Sequence, residues 1–79
     1  VNLTDNMKIE IMFKILLLKF KQNPMLKEKL LNTGLRPLIN ISSNLFWGTN
    51  SNQHGMNHVG RLLSKLRDEY IYSDFLNTI

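Results

Sequence analysis

The first helical stretch of this chain is apolar on two opposite sides, and that constrains the fold more than any other feature. Thr4 or Asp5 can cap it by accepting hydrogen bonds from free first-turn amides. The spacing carries the helix to about Gln22. Ile9, Met12, Phe13, Leu16, Leu17 and Phe20 fall on one wide face. Met7, Ile11, Ile15 and Leu18 fall on the other. Only narrow polar strips part them: Glu10, Lys14 and Lys21 along one edge, Lys8 and Lys19 along the other. A helix of this kind needs cover on both sides. The rest of a 79-residue chain supplies one layer comfortably. Either the remainder of a larger domain supplies the second, or the chain self-associates.

Size and composition narrow the choices. At this length folding buries only about 60–65% of the unfolded surface, so the core is small. There is no Cys, which excludes disulfides and thiolate metal sites. A hydrophobic fraction of 43% is too high for a disordered chain. The most apolar run, Ile9 to Phe20, is broken by Glu10, Lys14 and Lys19 and is too short to span a bilayer, so no membrane role is expected. The chain opens on Val1, which fits a fragment, and no basic stretch leads into a short apolar one as in a secretory signal. The expected setting is intracellular, in the cytoplasm. Formal net charge is +4, but the bases are dispersed, as on solvated helix faces. A nucleic-acid partner is therefore not expected.

Asn23-Pro24 restarts the chain as cap and first helical residue. A short second helix follows, with Met25, Leu26, Leu30 and Leu31 expected inward and Gly34 closing it. Leu38, Ile39 and Ile41 suggest a short extended segment, and Ser42 to Gly55 reads as a loop around Phe46-Trp47. A final helix begins near Met56–Asn57. Val59, Leu62, Leu63, Leu66 and Tyr70 form its inward stripe, with Arg61, Ser64, Lys65, Arg67 and Asp68 pointing mainly away. The tail from Tyr72 to Leu76 adds about one more turn. The predicted fold class is mainly α: one small helical domain of three to four helices over residues 1–79, with at most one short extended segment.

Candidate chemistry gathers between Phe46 and Gly60. Gly48 and Gly55 allow close backbone approach. Trp47 can stack on a flat heterocycle, and the start of the last helix offers free N–H groups to a phosphate. The bland alternative is a tryptophan that plugs the core and glycines that merely turn the chain. Arg67 either grips a carboxylate or phosphate or makes exposed local pairs with Asp68 and Glu69. His54 and His58 lie four apart, but His54 falls in the loop and no further ligand completes a set, so no metal site and no cofactor are expected. Between Glu28 and Asp68 there is no Asp or Glu at all. The loop thus brings no carboxylate of its own to acid–base work.

Taken in order, these segments resemble the C-terminal half of the NADAR family, named for NAD and ADP-ribose metabolism. Lys19-Phe20-Lys21-Gln22-Asn23-Pro24-Met25-Leu26 is similar to the family's helix junction, and Leu30-Leu31-Asn32-Thr33-Gly34 to its Leu-Leu-x-Thr-Gly. Leu38-Ile39-Asn40 and Phe46-Trp47-Gly48 follow, then Gly55-Met56-Asn57-His58-Val59-Gly60 running on to Arg67. The likeness covers about residues 7–70. It implies a mostly helical fold and hydrolysis of an N-glycosidic bond in a phosphoribosylated heterocycle, as in riboflavin-intermediate N-glycosidases. It also implies that Trp47 and Gly48 line the substrate pocket, with Gly55 in the same loop and Asn57 supporting the loop or the phosphate. The implied partner is a small ribosyl or nucleotide-like ligand. Asn40 stands where the family has Glu, the family's Asp before Trp-Gly is missing with Asn44 nearest, and Asn50 replaces a family Gly. An amide orients a ligand but does not exchange a proton at neutral pH. The resemblance thus implies an N-glycosidase domain incomplete or inactive as this chain, pairing with a missing N-terminal half through the first helix. The alternatives are a non-catalytic nucleotide- or ADP-ribose-binding module and a basic helical interaction module.

Overall fold

The computed structural model describes residues 2–79. Helix α1 spans Asp5–Gln22, α2 Pro24–Asn32 and α3 His58–Thr78, and each helix packs on the other two. Thr4 caps α1 by accepting the Met7 N–H at 3.2 Å, with Asp5 in the first turn and Lys19 and Lys21 in the last. These charges match the helix dipole at both ends. Asn23 closes α1, its side-chain amide donating to the Lys19 carbonyl at 2.9 Å, and Pro24 opens α2 directly after it. The chain leaves α2 through Gly34 at φ +62°. Nothing lies within 4 Å of where a Cβ would stand there, so the backbone angle alone favours glycine.

The core is Leu16, Leu30, Leu62 and Leu66, with Leu66 the most enclosed at 1% exposure. The inward stripe of α3 forms as expected. Met25 does not: it is 71% exposed. It lies about 140° around α2 from Leu30 at 100° per residue, so only the Leu26–Leu30 side meets the core. A second departure is Arg67, expected on the outer side of α3 but 5% exposed. Its Nη1 donates to Thr33 Oγ1 and to the Arg36 carbonyl, both at 2.8 Å. The long stem thereby lies across the end of α2, whose carbonyls offer the negative pole a cation seeks.

Residues 38–41 form no strand. Their only ladder-like element among the described residues is one parallel bridge between Ile41 and Thr49. The tail adds helix, as expected. It continues α3 unbroken to Thr78, and residues 71–79 are all exposed. Asp74 accepts from Lys27 Nζ at 3.3 Å, and the same ammonium sits 4.9 Å from the centre of the Tyr70 ring. Among the described residues, no helix is long and apolar enough to cross a membrane.

One face of α1 is covered by α2 and α3. The opposite face is bare: Met7, Ile11, Ile15 and Leu18 are 43%, 44%, 51% and 59% exposed.

Candidate functional site

The segment from Leu38 to Asn57 is held mainly by four asparagines. Asn44 Oδ1 accepts the N–H groups of Phe46 and Trp47 at 3.0 and 3.2 Å, and its carbonyl accepts from Gly48 at 2.9 Å. That winds residues 45–47 into a turn with Trp47 at its end. Asn50 does the same for the next turn, its Oδ1 accepting from Asn52 and His54, both at 3.0 Å. Short side-chain amides mimic backbone partners well, which suits asparagine to such turns.

Asn40 and Asn57 join the loop to the helices. Asn57 takes up a left-handed conformation at φ 54°, tolerable for asparagine. Its Nδ2 donates to the Leu38 carbonyl at 3.0 Å, and its Oδ1 accepts the Asn40 N–H at 2.9 Å. The Asn40 carbonyl accepts from Thr49 N–H at 2.8 Å, while its side chain reaches toward the Trp47 carbonyl at 3.4 Å.

The first amides of α3 are not free for a phosphate. His58 N–H donates to the Phe46 carbonyl at 3.2 Å and Val59 N–H to the Trp47 carbonyl at 2.9 Å. Just before them, Met56 donates to Leu45 at 2.7 Å and Asn57 to Gly48 at 3.1 Å. The tryptophan loop itself caps the helix. The phosphate anchor expected from sequence is occupied by backbone carbonyls.

The glycines make this contact possible. A Cβ on Gly48 would overlap the Asn40 carbonyl oxygen. A Cβ on Gly55, at φ +140°, would overlap the carbonyl of Gly48. Gly48, Gly55 and Asn57 therefore sit together in the framework of the loop. Trp47 is set apart from them, half-buried and turned onto α1. With Leu3, Lys8, Ile11, Met12 and Ile15 it lines an open groove of about 210 Å³, almost wholly apolar. The Phe46 ring meets Trp47 edge-on at 4.7 Å and lies 4.5 Å from the His58 ring. Lys8 Nζ stands 5.9 Å from the Phe46 ring centre.

Lys8 and Met12 are thus groove residues that sequence reasoning assigned only to faces of α1. The available signal was their position on the edge nearest the bare face. His54 is exposed in its turn while His58 begins α3. Among the described residues, no group of three His, Cys, Asp or Glu is placed to hold a metal ion. The loop from Leu38 to Asn57 carries no carboxylate. What the arrangement offers is an aromatic wall beside an apolar floor with one ammonium at the rim, able to stack a flat ring but not to move a proton through an acid.

Comparison with known proteins agrees with this anatomy. Residues 3–70 match the NADAR domain. The chain is 44% identical over 68 residues to the riboflavin biosynthesis protein PYRR, chloroplastic, of Arabidopsis thaliana, covering 85% of this chain and 11% of that one. It is 38% identical over 66 residues to a Nostoc punctiforme protein named as an N-glycosidase, covering 82% of this chain and 42% of that one. A riboflavin biosynthesis protein of Vibrio vulnificus is 38% identical over 65 residues, 81% of this chain and 18% of its own. The chain thus spans less than half the length of these relatives. No solved structure matches it. With the domain match running across α1, the asparagine-held loop and most of α3, the chain belongs to the NADAR family.

Proposed function

We propose that this chain is part of an N-glycosidase domain that takes a phosphoribosylated heterocycle, with Trp47 forming one wall of the site for the base. The observation that carries the reading is the NADAR match across residues 3–70, which includes the whole loop that fixes Trp47. Two relatives named for riboflavin biosynthesis and one named as an N-glycosidase point to a ribosylated intermediate of that chemistry as substrate. Such hydrolysis passes through an oxocarbenium-like sugar and calls on positioned carboxylates. They would be contributed by the rest of the domain, since Asn40 and Asn44 are engaged with backbone groups and carry no exchangeable acid proton. The setting in this reading is the cytoplasm, although the plant relative is named as chloroplastic.

The test is base release from a ribosylamino-pyrimidine phosphate by the chain, alone and with the remainder of a NADAR domain supplied. Release only with the remainder is expected. Release by neither preparation overturns the hydrolase reading.

The acid-free loop favours one second reading, a module that binds nucleotide or ADP-ribose without turnover. It predicts calorimetric binding of ADP-ribose that is lost in Trp47→Ala. Absence of binding, or a Trp47→Ala variant that binds as before, removes it.

A further inference from the structure

The bare face of α1 is a seat whose shape and charge describe its occupant. Met7, Ile11, Ile15 and Leu18 lie within about 80° of one another at 100° per residue. They form a continuous apolar strip along the whole helix. It is bordered on one edge by Lys14 and Lys21 and on the other by Lys8 and Lys19. Among the described residues of α1, Glu10, paired with Lys14 at 3.7 Å, is the acid that lies beside it. Along the Lys8 edge the strip runs into the Trp47 groove, since Ile11 and Ile15 belong to both. A contiguous apolar face with a charged rim marks an interaction surface.

Length points to what covers it. The 66 matched residues are 42% of the Nostoc relative, which puts that protein near 157 residues, the size of one domain. About 91 of them lie outside the match, and within one domain they must pack on the matched part. On α1 one face is taken by α2 and α3, which leaves the Met7–Leu18 strip as its free apolar face; Phe75 and Leu76 on α3 are exposed too, but the strip is the apolar face that runs into the Trp47 groove.

We infer that this strip seats an amphipathic segment of the remaining part of a NADAR domain, apolar toward Ile15 and acidic along its flanks, which borders the Trp47 groove without filling it. Four lysines on two edges favour carboxylates opposite them and disfavour a second copy of this chain, which would set lysine against lysine. Lys8, standing at the groove rim, draws one of those carboxylates to the side of Trp47. This inference rests on the incomplete-domain reading proposed above but not on turnover. Docking is measured by association, so its failure is distinct from a failure to release base.

The experiment co-expresses the 79-residue chain with the tagged part of the Nostoc punctiforme relative that lies outside the match, followed by co-purification and sedimentation. A one-to-one complex is expected, weakened roughly thirtyfold or more by Ile15→Asp, as for a central interface residue. Leu18→Asp acts as a second variant, and circular dichroism of both alone should be unchanged because both sites are exposed. Raised salt and Lys8→Glu with Lys19→Glu should weaken the complex as well. The inference is overturned if no complex forms or if Ile15→Asp and Leu18→Asp both bind as before. It is equally overturned if the chain alone is a dimer that Ile15→Asp converts to monomer. A complex that forms yet releases no base leaves the seat in place and removes only the hydrolase reading.

Discussion

Asn57 accepts the backbone N–H of Asn40 on its side-chain oxygen at 2.9 Å, across 17 residues of chain. With its Nδ2 on the Leu38 carbonyl, one side-chain amide presents the donor and acceptor that a neighbouring strand would have given this segment. The backbone groups of residues 38 and 40 are partly buried and need such partners. The same residue turns the chain into α3 through a left-handed conformation. The loop that carries Trp47 is thus fixed at its far end by one asparagine.

Asn57→Ala removes both hydrogen bonds and places a Cβ-bearing residue without amide compensation at positive φ. A loss of about 2–3 kcal/mol is expected. Asn57→Gly loses the same bonds but keeps the backbone comfortable, at about 1–2 kcal/mol. Urea unfolding followed by the fluorescence of Trp47, the chain's single tryptophan, measures both. Equal losses for the two would show that the left-handed backbone contributes nothing, and no loss in either would remove the linkage.

Gly60 sits inside a helix, where alanine is ordinarily preferred by about 1 kcal/mol. Here the sign reverses. A Cβ would overlap the Leu38 carbonyl and the Asn57 side chain at once. Crowding of this kind costs about 1–3 kcal/mol, more than the gain in helix propensity. Gly60→Ala should therefore lower Tm, and the loss should shrink when Asn57→Gly has already cleared the space. A Gly60→Ala chain as stable as the parent would contradict the close approach.

Arg67 places a buried cation at the end of α2; among the described residues it has no carboxylate partner, and its Nε makes no hydrogen bond. Removing the whole side chain loses packing and two hydrogen bonds, so Arg67→Ala should cost about 2–4 kcal/mol. Arg67→Met keeps most of the volume and discards a charge that is costly to bury, so it should cost less than half as much. The Arg36 carbonyl, on an exposed residue, then turns to water. Denaturant midpoints of the two variants decide the order, and Met as damaging as Ala would mean that the hydrogen bonds outweigh burial.

Helix positions were legible where periodicity and caps agreed. Thr4, Asn23-Pro24 and the Asn57 region each mark a boundary that the structure keeps, and the two apolar faces of α1 follow from spacing alone. Met25 and Arg67 depart from their expected sides for a common reason. Spacing gives the angle of a residue on its own helix, but the depth of cover depends on how neighbouring elements cross it. The glycines were rightly read as sites of close approach, though the atoms they approach are loop carbonyls. The α3 start looked open to phosphate because free amides are the default at a helix end. No local signal shows that a loop lying 10 or so residues earlier will fold back and cap it. Ser42 to Gly55 reads as a loop, but the individual hydrogen bonds of the asparagines that hold it become visible only in three dimensions.

The two faces of α1 and the stripe of α3 give leucines of sharply different worth. Leu66, at 1% exposure, is the most enclosed of the core leucines, so truncation leaves a cavity with few routes to collapse. Leu66→Ala should cost about 2–5 kcal/mol, which a core built on four leucines can barely sustain. Leu18, at 59% exposure, touches little in the chain by itself. Leu18→Ala should stay within about 0.5 kcal/mol in the isolated chain. In the complex with the remainder of a NADAR domain it should cost more, because the same atoms are then covered. Measuring Leu18→Ala in both states therefore separates a bare surface from an unoccupied seat. If its cost is the same with and without the complement, Leu18 lies outside the interface, and the apolar strip ends short of the C-terminal turn of α1.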